Sequence, residues 1–138
     1  MLTELSIEEA VRDYLLAKKW EIEKPLKQRG EHGCDIIASH SKWRKKYFIE
    51  VKGSGKAAIQ MKHNGFYMLI GQIVSRMDIG GNNPNKSRFY AIAIPAEWEQ
   101  TFKNKIQKMK YGWRLLKLKV FLVDDNSRVI EKSYTKFL

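Results

Sequence analysis

The chain has 138 residues, of which 26 are Lys or Arg and 15 are Asp or Glu, so its formal net charge at pH 7 is +11. This length suits one domain over residues 1–138, and 43% hydrophobic residues exclude the composition of disordered chains. The single cysteine excludes an internal disulfide and any multi-cysteine zinc site. The positive charge favours a polyanionic partner, either a nucleic acid or an anionic membrane surface.

The sequence predicts neither a transmembrane helix nor a secretion signal. The longest stretch without charged residues, 64–75, is too short to cross a bilayer. The first residues carry carboxylates where a secretory signal would carry Lys or Arg. We therefore expect a cytoplasmic protein that does not bind membranes.

Hydrophobic periodicity and turn residues predict alternating helices and strands. A first helix begins near Ser6, because Ser6 and Glu9 have capping-box spacing ahead of a helical apolar pattern. The predicted elements in chain order are a helix at 6–19, strands at 20–23, 34–38 and 46–52, a helix at 56–77, a strand at 89–94, a helix at 96–110, and strands at 118–123 and 128–131. This order predicts an α/β fold in which helices flank a mixed central sheet.

Three charged residues on the second and third strands are the strongest candidates for chemistry. Residues i and i+2 of a strand point to the same face, so Glu50 and Lys52 project together. If the hairpin turns about Lys42 and Trp43, Asp35 lies directly opposite Glu50. Two opposed carboxylates repel each other unless a cation or a proton intervenes, and oxygen ligands of this kind suit Mg²⁺.

The chemistry that these residues imply is phosphodiester hydrolysis. A divalent ion held by Asp35 and Glu50 would polarise a phosphodiester and generate hydroxide from bound water. The ammonium group of Lys52 could steer that water or stabilise negative charge in the transition state. The alternative is that the three residues form a solvated charge cluster at the sheet edge, without a catalytic role.

Asp35 is followed, after fourteen residues, by Glu50-Val51-Lys52, within the segments GCDIIA (33–38) and YFIEVKG (47–53). This pattern resembles the PD-(D/E)XK nuclease superfamily, whose restriction-endonuclease-like core has the order αβββαβ. The two segments are similar to the motif strands of archaeal Holliday-junction resolvases and related small endonucleases. The resemblance implies a DNA endonuclease that depends on Mg²⁺, with Mn²⁺ able to substitute. Cys34 replaces the Pro of the motif name, at a position without a catalytic role in the family.

The resemblance also implies two supporting residues. Family members often add a Glu of the first helix to the metal site, and the candidates are Glu4, Glu8 and Glu9. Helix geometry places Glu8 at the border of the apolar face and turns Glu9 away, so Glu8 is the predicted third metal ligand. Gln60 is predicted to orient water or contact a phosphate. The alternative for Glu8 is that its carboxylate only stabilises the helix dipole. The alternative for Gln60 is that it lies on a solvated helix face.

Basic residues around an aromatic side chain predict a nucleic-acid contact at the hairpin tip. Trp43 could stack on a base or wedge a junction, or it could pack back on its own strand. The predicted nucleic-acid-binding residues are Lys42, Trp43, Arg44 and Lys45 on the hairpin, with Lys62 and Arg76 on the second helix. Each phosphate that such side chains neutralise increases the salt dependence of binding.

The same reasoning predicts an oligomeric state and leaves two alternative functions open. One active site cuts one strand, so symmetric cleavage of two strands predicts a homodimer. The alternative functions are a catalytically silent nucleic-acid-binding module on the same fold and a basic RNA-binding protein. An intact Asp, Glu and Lys set argues against the first alternative, and the motif strands argue against the second.

Overall fold

The computed structural model describes residues 2–23, 35–53, 65–77 and 88–138. Gln60, Lys62 and the first part of the helix predicted at 56–77 lie outside the described residues. The helices are α1 (Glu4–Ala17), α2 (Phe66–Met77), α3 (Glu99–Ile106) and α4 (Lys110–Leu116). The strands are β1 (Glu21–Glu23), β2 (Ile36–His40), β3 (Lys45–Val51), β4 (Arg88–Pro95), β5 (Lys119–Val123) and β6 (Val129–Lys132).

Within the described ranges, the strands form one mixed sheet in the order β1-β2-β3-β4-β5-β6. β1, β2 and β3 are antiparallel neighbours, β4 and β5 continue parallel to β3, and β6 returns antiparallel to β5. Parallel neighbours require crossover connections, in which α2 and then α3 with α4 lie. This architecture confirms the predicted fold class and is consistent with the restriction-endonuclease-like fold.

The two faces of the sheet bury separate apolar cores. On one face, Ile7 and Val11 of α1 are fully buried against the sheet. On the other face, Phe66, Phe102 and Trp113 from α2, α3 and α4 are fully buried. Burial of one such side chain contributes about 1.5–3 kcal/mol relative to exposure. The second half of β4 is buried throughout, as predicted for a strand that is covered on both faces.

The start of α1 corrects the predicted capping box. The helix begins at Glu4, and the Oγ1 atom of its N-cap Thr3 accepts a hydrogen bond from the backbone N–H of Ser6 at 3.1 Å. The predicted cap at Ser6 is therefore wrong. Thr and Ser are both good N-caps, but a cap at Thr3 places Leu2 and Ile7 in one core cluster, as in a hydrophobic staple. Burial of Leu2 thus accounts for the earlier start.

The helix predicted at 96–110 is confirmed at 96–106, but its continuation to residue 110 is wrong, because the chain forms two helices there. A 3-10 turn at Ala96–Trp98 leads into α3, and residues 107–109 separate α3 from α4. The break turns Trp113 towards the C-terminal segment, where its Nε1–H donates to the Tyr134 carbonyl at 2.9 Å. Its ring also packs against Phe137 at a centroid distance of 6.0 Å. Among the described residues, no helix is long and apolar enough to cross a membrane.

Candidate active site

The pairing of β2 with β3 sets the positions of the two motif carboxylates. Ile36 pairs with Ile49, and Ile37 pairs with Phe48. The next position in the same register places Asp35, one residue before β2 begins, opposite Glu50. The register therefore agrees with the predicted hairpin, whereas the catalytic roles of the two residues stay predictions.

Asp35 is attached to the backbone of the neighbouring strand. Its Oδ2 atom accepts a hydrogen bond from the backbone N–H of Val51 at 2.8 Å. Because Val51 directly follows Glu50, this bond ties one motif carboxylate to the strand that carries the other. Hydrogen bonds to an ionised carboxylate are shorter and stronger than neutral ones, so the orientation of Asp35 is well determined.

Glu50 is a buried carboxylate on the sheet face that α2 covers. The Nε atom of Arg76, near the end of α2, lies 3.9 Å from its Oε2 atom. In the part of the chain that the structure describes, this Nε atom has no hydrogen-bond acceptor, so the contact with Glu50 is an ion pair without a hydrogen bond. A buried carboxylate needs a compensating charge, and Arg76 supplies one. The predicted role of Arg76 in nucleic-acid binding stays a prediction.

Glu8 is connected to Asp35 through an arginine that the sequence analysis did not select. Glu8 is half-buried whereas Glu4 and Glu9 are exposed, in agreement with the predicted helix geometry. The Nη2 atom of Arg12 donates to Glu8 Oε1 at 2.9 Å and to the Asp35 carbonyl oxygen at 3.4 Å. The i,i+4 spacing of Glu8 and Arg12 is the sequence feature that could have identified this link.

Asp35 and Glu50 supply the oxygen donors that Mg²⁺ prefers. Within the described ranges, no three His, Cys, Asp or Glu side chains form a group that could hold one metal ion. Glu8 therefore does not complete a three-carboxylate cluster in this structure, and its role as a ligand stays a prediction. Proteins commonly hold Mg²⁺ through one or two carboxylates, with water and substrate phosphate as the other ligands. The two motif carboxylates are compatible with such a site.

Lys52 directly follows β3 and lies where the strand passes the start of α1. Its backbone N–H donates to the Ala93 carbonyl at 3.0 Å, so the pairing with β4 extends past the end of β3. A Cβ atom on the next residue, Gly53, would lie 2.3 Å from the backbone nitrogen of Glu4. Only a glycine permits this approach, which packs the segment that carries Lys52 against the first turn of α1.

The hairpin tip carries the predicted nucleic-acid contacts. Lys42, Arg44 and Lys45 are exposed there. Trp43 stacks on His40 with ring centroids 4.4 Å apart, yet the residue stays 56% exposed. It therefore packs back on its own hairpin and still presents an open surface. Contact of these residues with nucleic acid stays a prediction.

No protein-family model and no curated protein matches the sequence. Two solved structures are similar to it. The crystal structure of an XisH family protein from Nostoc punctiforme PCC 73102 has a TM-score of 0.62 at 18% identity, covering 93% of this chain and 98% of that chain. The crystal structure of an fdxN element excision controlling factor protein from Anabaena variabilis has a TM-score of 0.62 at 21% identity, covering 94% and 98%. The chain shares their fold.

Proposed function

We propose that this protein is a Mg²⁺-dependent endonuclease that hydrolyses phosphodiester bonds in DNA. The observation that carries the proposal is the β2–β3 register, which sets Asp35 opposite Glu50 while Asp35 accepts a hydrogen bond from Val51. The net charge of +11 supports a polyanionic substrate. The fold and the resemblance to the PD-(D/E)XK superfamily support the same activity.

Each motif residue has a role in this proposal. Asp35 and Glu50 would hold Mg²⁺, or Mn²⁺ in its place, and the ion would supply Lewis-acid activation of the scissile phosphate and of a water molecule. The hydrogen bond to Val51 keeps the Asp35 carboxylate oriented. The Lys52 ammonium group donates to the attacking water or to a phosphate oxygen, which stabilises the charge that develops there. Glu8 and Gln60 support the site.

The substrate in this proposal is a branched DNA such as a four-way junction. The resemblance to Holliday-junction-resolvase-like endonucleases supports this substrate, and a homodimer would suit symmetric cleavage of its strands. One protein of the same fold is an fdxN element excision controlling factor. Excision of a DNA segment is therefore a process in which this activity can be sought.

The test is a cleavage assay on supercoiled plasmid, linear duplex, four-way junction, single-stranded DNA and RNA, with Mg²⁺, Mn²⁺ or EDTA. We expect metal-dependent cutting of DNA that falls at least about 10²-fold in Glu50→Gln and Lys52→Ala. Lys108→Ala, which removes an exposed lysine after α3, is the matched control and should cut normally. Circular dichroism of each variant would establish that it is folded.

Two results would contradict the proposal. Cutting that persists in both motif variants would place the active site elsewhere. Salt-sensitive DNA binding without metal-dependent cutting of any substrate would support the alternative, a catalytically silent nucleic-acid-binding module on the same fold.

A further inference from the structure

Three rows of side chains cross β2, β3 and β4 on the sheet face that carries Glu50. Paired positions share a face of the sheet, and positions two residues apart along a strand return to that face. The rows are Ser39, Lys46 and Arg88, then Ile37, Phe48 and Tyr90, then Asp35, Glu50 and Ile92. We call the first the cation row and the last the carboxylate row. The strands rise about 3.3 Å per residue, so these two rows lie about 13 Å apart.

The middle row is an aromatic surface flanked by cations. Phe48 and Tyr90 stack with ring centroids 5.3 Å apart and an interplanar angle of 22°. Both residues are half-buried, so part of their surface remains accessible. The Lys46 Nζ atom and the Arg88 guanidinium carbon lie 5.7 and 5.8 Å from the Phe48 ring centroid. Aromatic rings beside Lys and Arg are the elements with which proteins bind single-stranded nucleic acids.

The cation row opens into a groove of about 350 Å³ that reaches the hairpin tip. Among the described residues, four cations, Arg44, Lys45, Lys46 and Arg88, line the groove, against one carboxylate, Glu21. Its charge is therefore complementary to phosphate. Lys46 also pairs with Glu23 at 3.0 Å, but both side chains are more than one-third exposed, at 37% and 42%. Such an exposed pair contributes little to stability, so a phosphate can readily replace it.

We propose that the groove and the Phe48–Tyr90 pair bind a single-stranded segment of DNA that leads into the active site. The inference rests on the proposed endonuclease function and narrows its branched substrate to DNA that carries an unpaired arm beside the scissile phosphate, in place of a fully paired four-way junction. The groove cations bind the phosphates of the arm, and the aromatic pair stacks on an unpaired base. Within a duplex, neighbouring base pairs cover both faces of each internal base, so an unpaired base offers a face for stacking that internal base pairs do not.

The dimensions of the surface agree with a short arm. A DNA strand advances about 3.4 Å per nucleotide when its bases are stacked. The separation of about 13 Å between the cation row and the carboxylate row then corresponds to about four nucleotides. An arm of this length would contact both the groove and the aromatic pair.

The test measures binding in EDTA, where metal-dependent cleavage does not interfere. The probes are a labelled fully paired duplex, the same duplex with an unpaired DNA arm of about six nucleotides at either the 5′ or the 3′ end, and the same duplexes with an RNA arm of that length. Fluorescence anisotropy should show that the protein prefers one of the duplexes with an arm. Phe48→Leu and Tyr90→Leu should weaken binding of that probe by about tenfold and leave the fully paired duplex almost unaffected. Tyr90→Phe keeps the ring and should retain the preference.

The cations give an independent readout. Arg88→Gln should weaken binding of the probe with the preferred arm and reduce its slope of log affinity against log salt by about one, with a smaller effect on the fully paired duplex. Lys108→Gln removes an exposed lysine outside the groove and should leave the preference for the arm unchanged. Thermal melting of each variant would separate loss of binding from loss of fold.

Three outcomes would overturn the inference. These are equal affinity of the wild type for duplexes with and without an arm, undiminished binding in a folded Phe48→Leu or Tyr90→Leu variant, and tighter binding of an RNA arm than of the DNA arm. Because the readout is binding without metal, a failure here would leave metal-dependent cutting intact. Conversely, loss of the proposed endonuclease activity would leave the preference for an arm measurable.

Discussion

The Nε atom of Arg76 lies 3.9 Å from Oε2 of Glu50, and the two side chains are only 16% and 7% exposed. A cation of the protein itself therefore neighbours the carboxylate that we propose as a Mg²⁺ ligand. In such a poorly hydrated place, charges interact more strongly than in water. Bound Mg²⁺ and Arg76 would repel each other, so the arginine should weaken metal binding.

Arg76→Gln is expected to increase the affinity for Mg²⁺ by on the order of tenfold, because it removes this repulsion and keeps a polar side chain. Isothermal titration calorimetry with Mg²⁺ would measure the change. Arg114→Gln removes an exposed arginine of α4 and should leave the affinity unchanged. Unchanged or weaker Mg²⁺ binding by a folded Arg76→Gln variant would show that Arg76 does not compete with the ion.

Substitutions at Asp35 should separate its structural contribution from its chemical one. Asp35→Asn keeps an oxygen that can accept from the Val51 N–H, whereas Asp35→Ala leaves this buried donor without its acceptor. We expect Asp35→Ala to be less stable than Asp35→Asn by about 1–3 kcal/mol in urea unfolding. Both variants should lose metal-dependent cutting, because both lose the negative charge. Equal stability of the two variants would mean that the hydrogen bond contributes little.

Gly53→Ala is expected to destabilise the protein. The added Cβ would lie 2.3 Å from the Glu4 nitrogen and 2.6 Å from the Thr3 carbonyl carbon, so the backbone would have to move, at a cost of about 1–3 kcal/mol. Gly71→Ala is the matched control, because no atom of the described residues lies within 4 Å of its Cβ position apart from those of Gly71, its two chain neighbours and the backbone of its own helix. On the exposed side of α2, this alanine should stabilise the helix by about 0.5–1 kcal/mol. Thermal melting would measure both effects, and a shift of the two melting temperatures in the same direction relative to the wild type would contradict the expectation.

Alkaline pH should destabilise the protein partly through Tyr47. Burial raises the pKa of the Tyr47 phenol above its ordinary value, and the nearby charge of Glu131 adds to this effect while Lys119 opposes it. The folded state therefore retains the phenol proton more tightly than the unfolded state does. The contribution of this pKa shift to the free energy of unfolding is complete below about pH 10 and is lost as the pH rises through the folded-state pKa.

Tyr47→Phe should consequently lose less stability than the wild type between about pH 9 and 11. Urea unfolding at several pH values in this range would measure the difference. The free energy of unfolding is the quantity to compare, since the phenylalanine removes the titrating group and keeps the ring. An equal decline in the free energy of unfolding of the two proteins would show that other groups cause the loss at alkaline pH. One such group is Tyr14, because burial also raises its pKa.

The sequence by itself predicted the fold class and the order of helices and strands, except that it did not divide the helix at 96–110. It predicted the register of Asp35 against Glu50 on the condition that the hairpin turns about Lys42 and Trp43. These features depend on local patterns, because alternation defines a strand and the length of a hairpin defines which residues face each other. Local patterns were insufficient at the start of α1, where both Thr3 and Ser6 suit an N-cap. Burial of Leu2, a tertiary interaction, determined the observed start.

Only the tertiary structure decided which side chains reach the two motif residues. Arg76, on a helix packed against the sheet, reaches the Glu50 carboxylate, and Arg12 of α1 reaches the backbone carbonyl of Asp35 from the other face. The Phe48–Tyr90 pair exists because a crossover returns β4 to lie parallel to β3. Such contacts join residues that are distant in sequence, and hydrophobic periodicity reports only the face to which each residue belongs. The packing of α1 and α2 on opposite faces of the sheet determines which partners meet there.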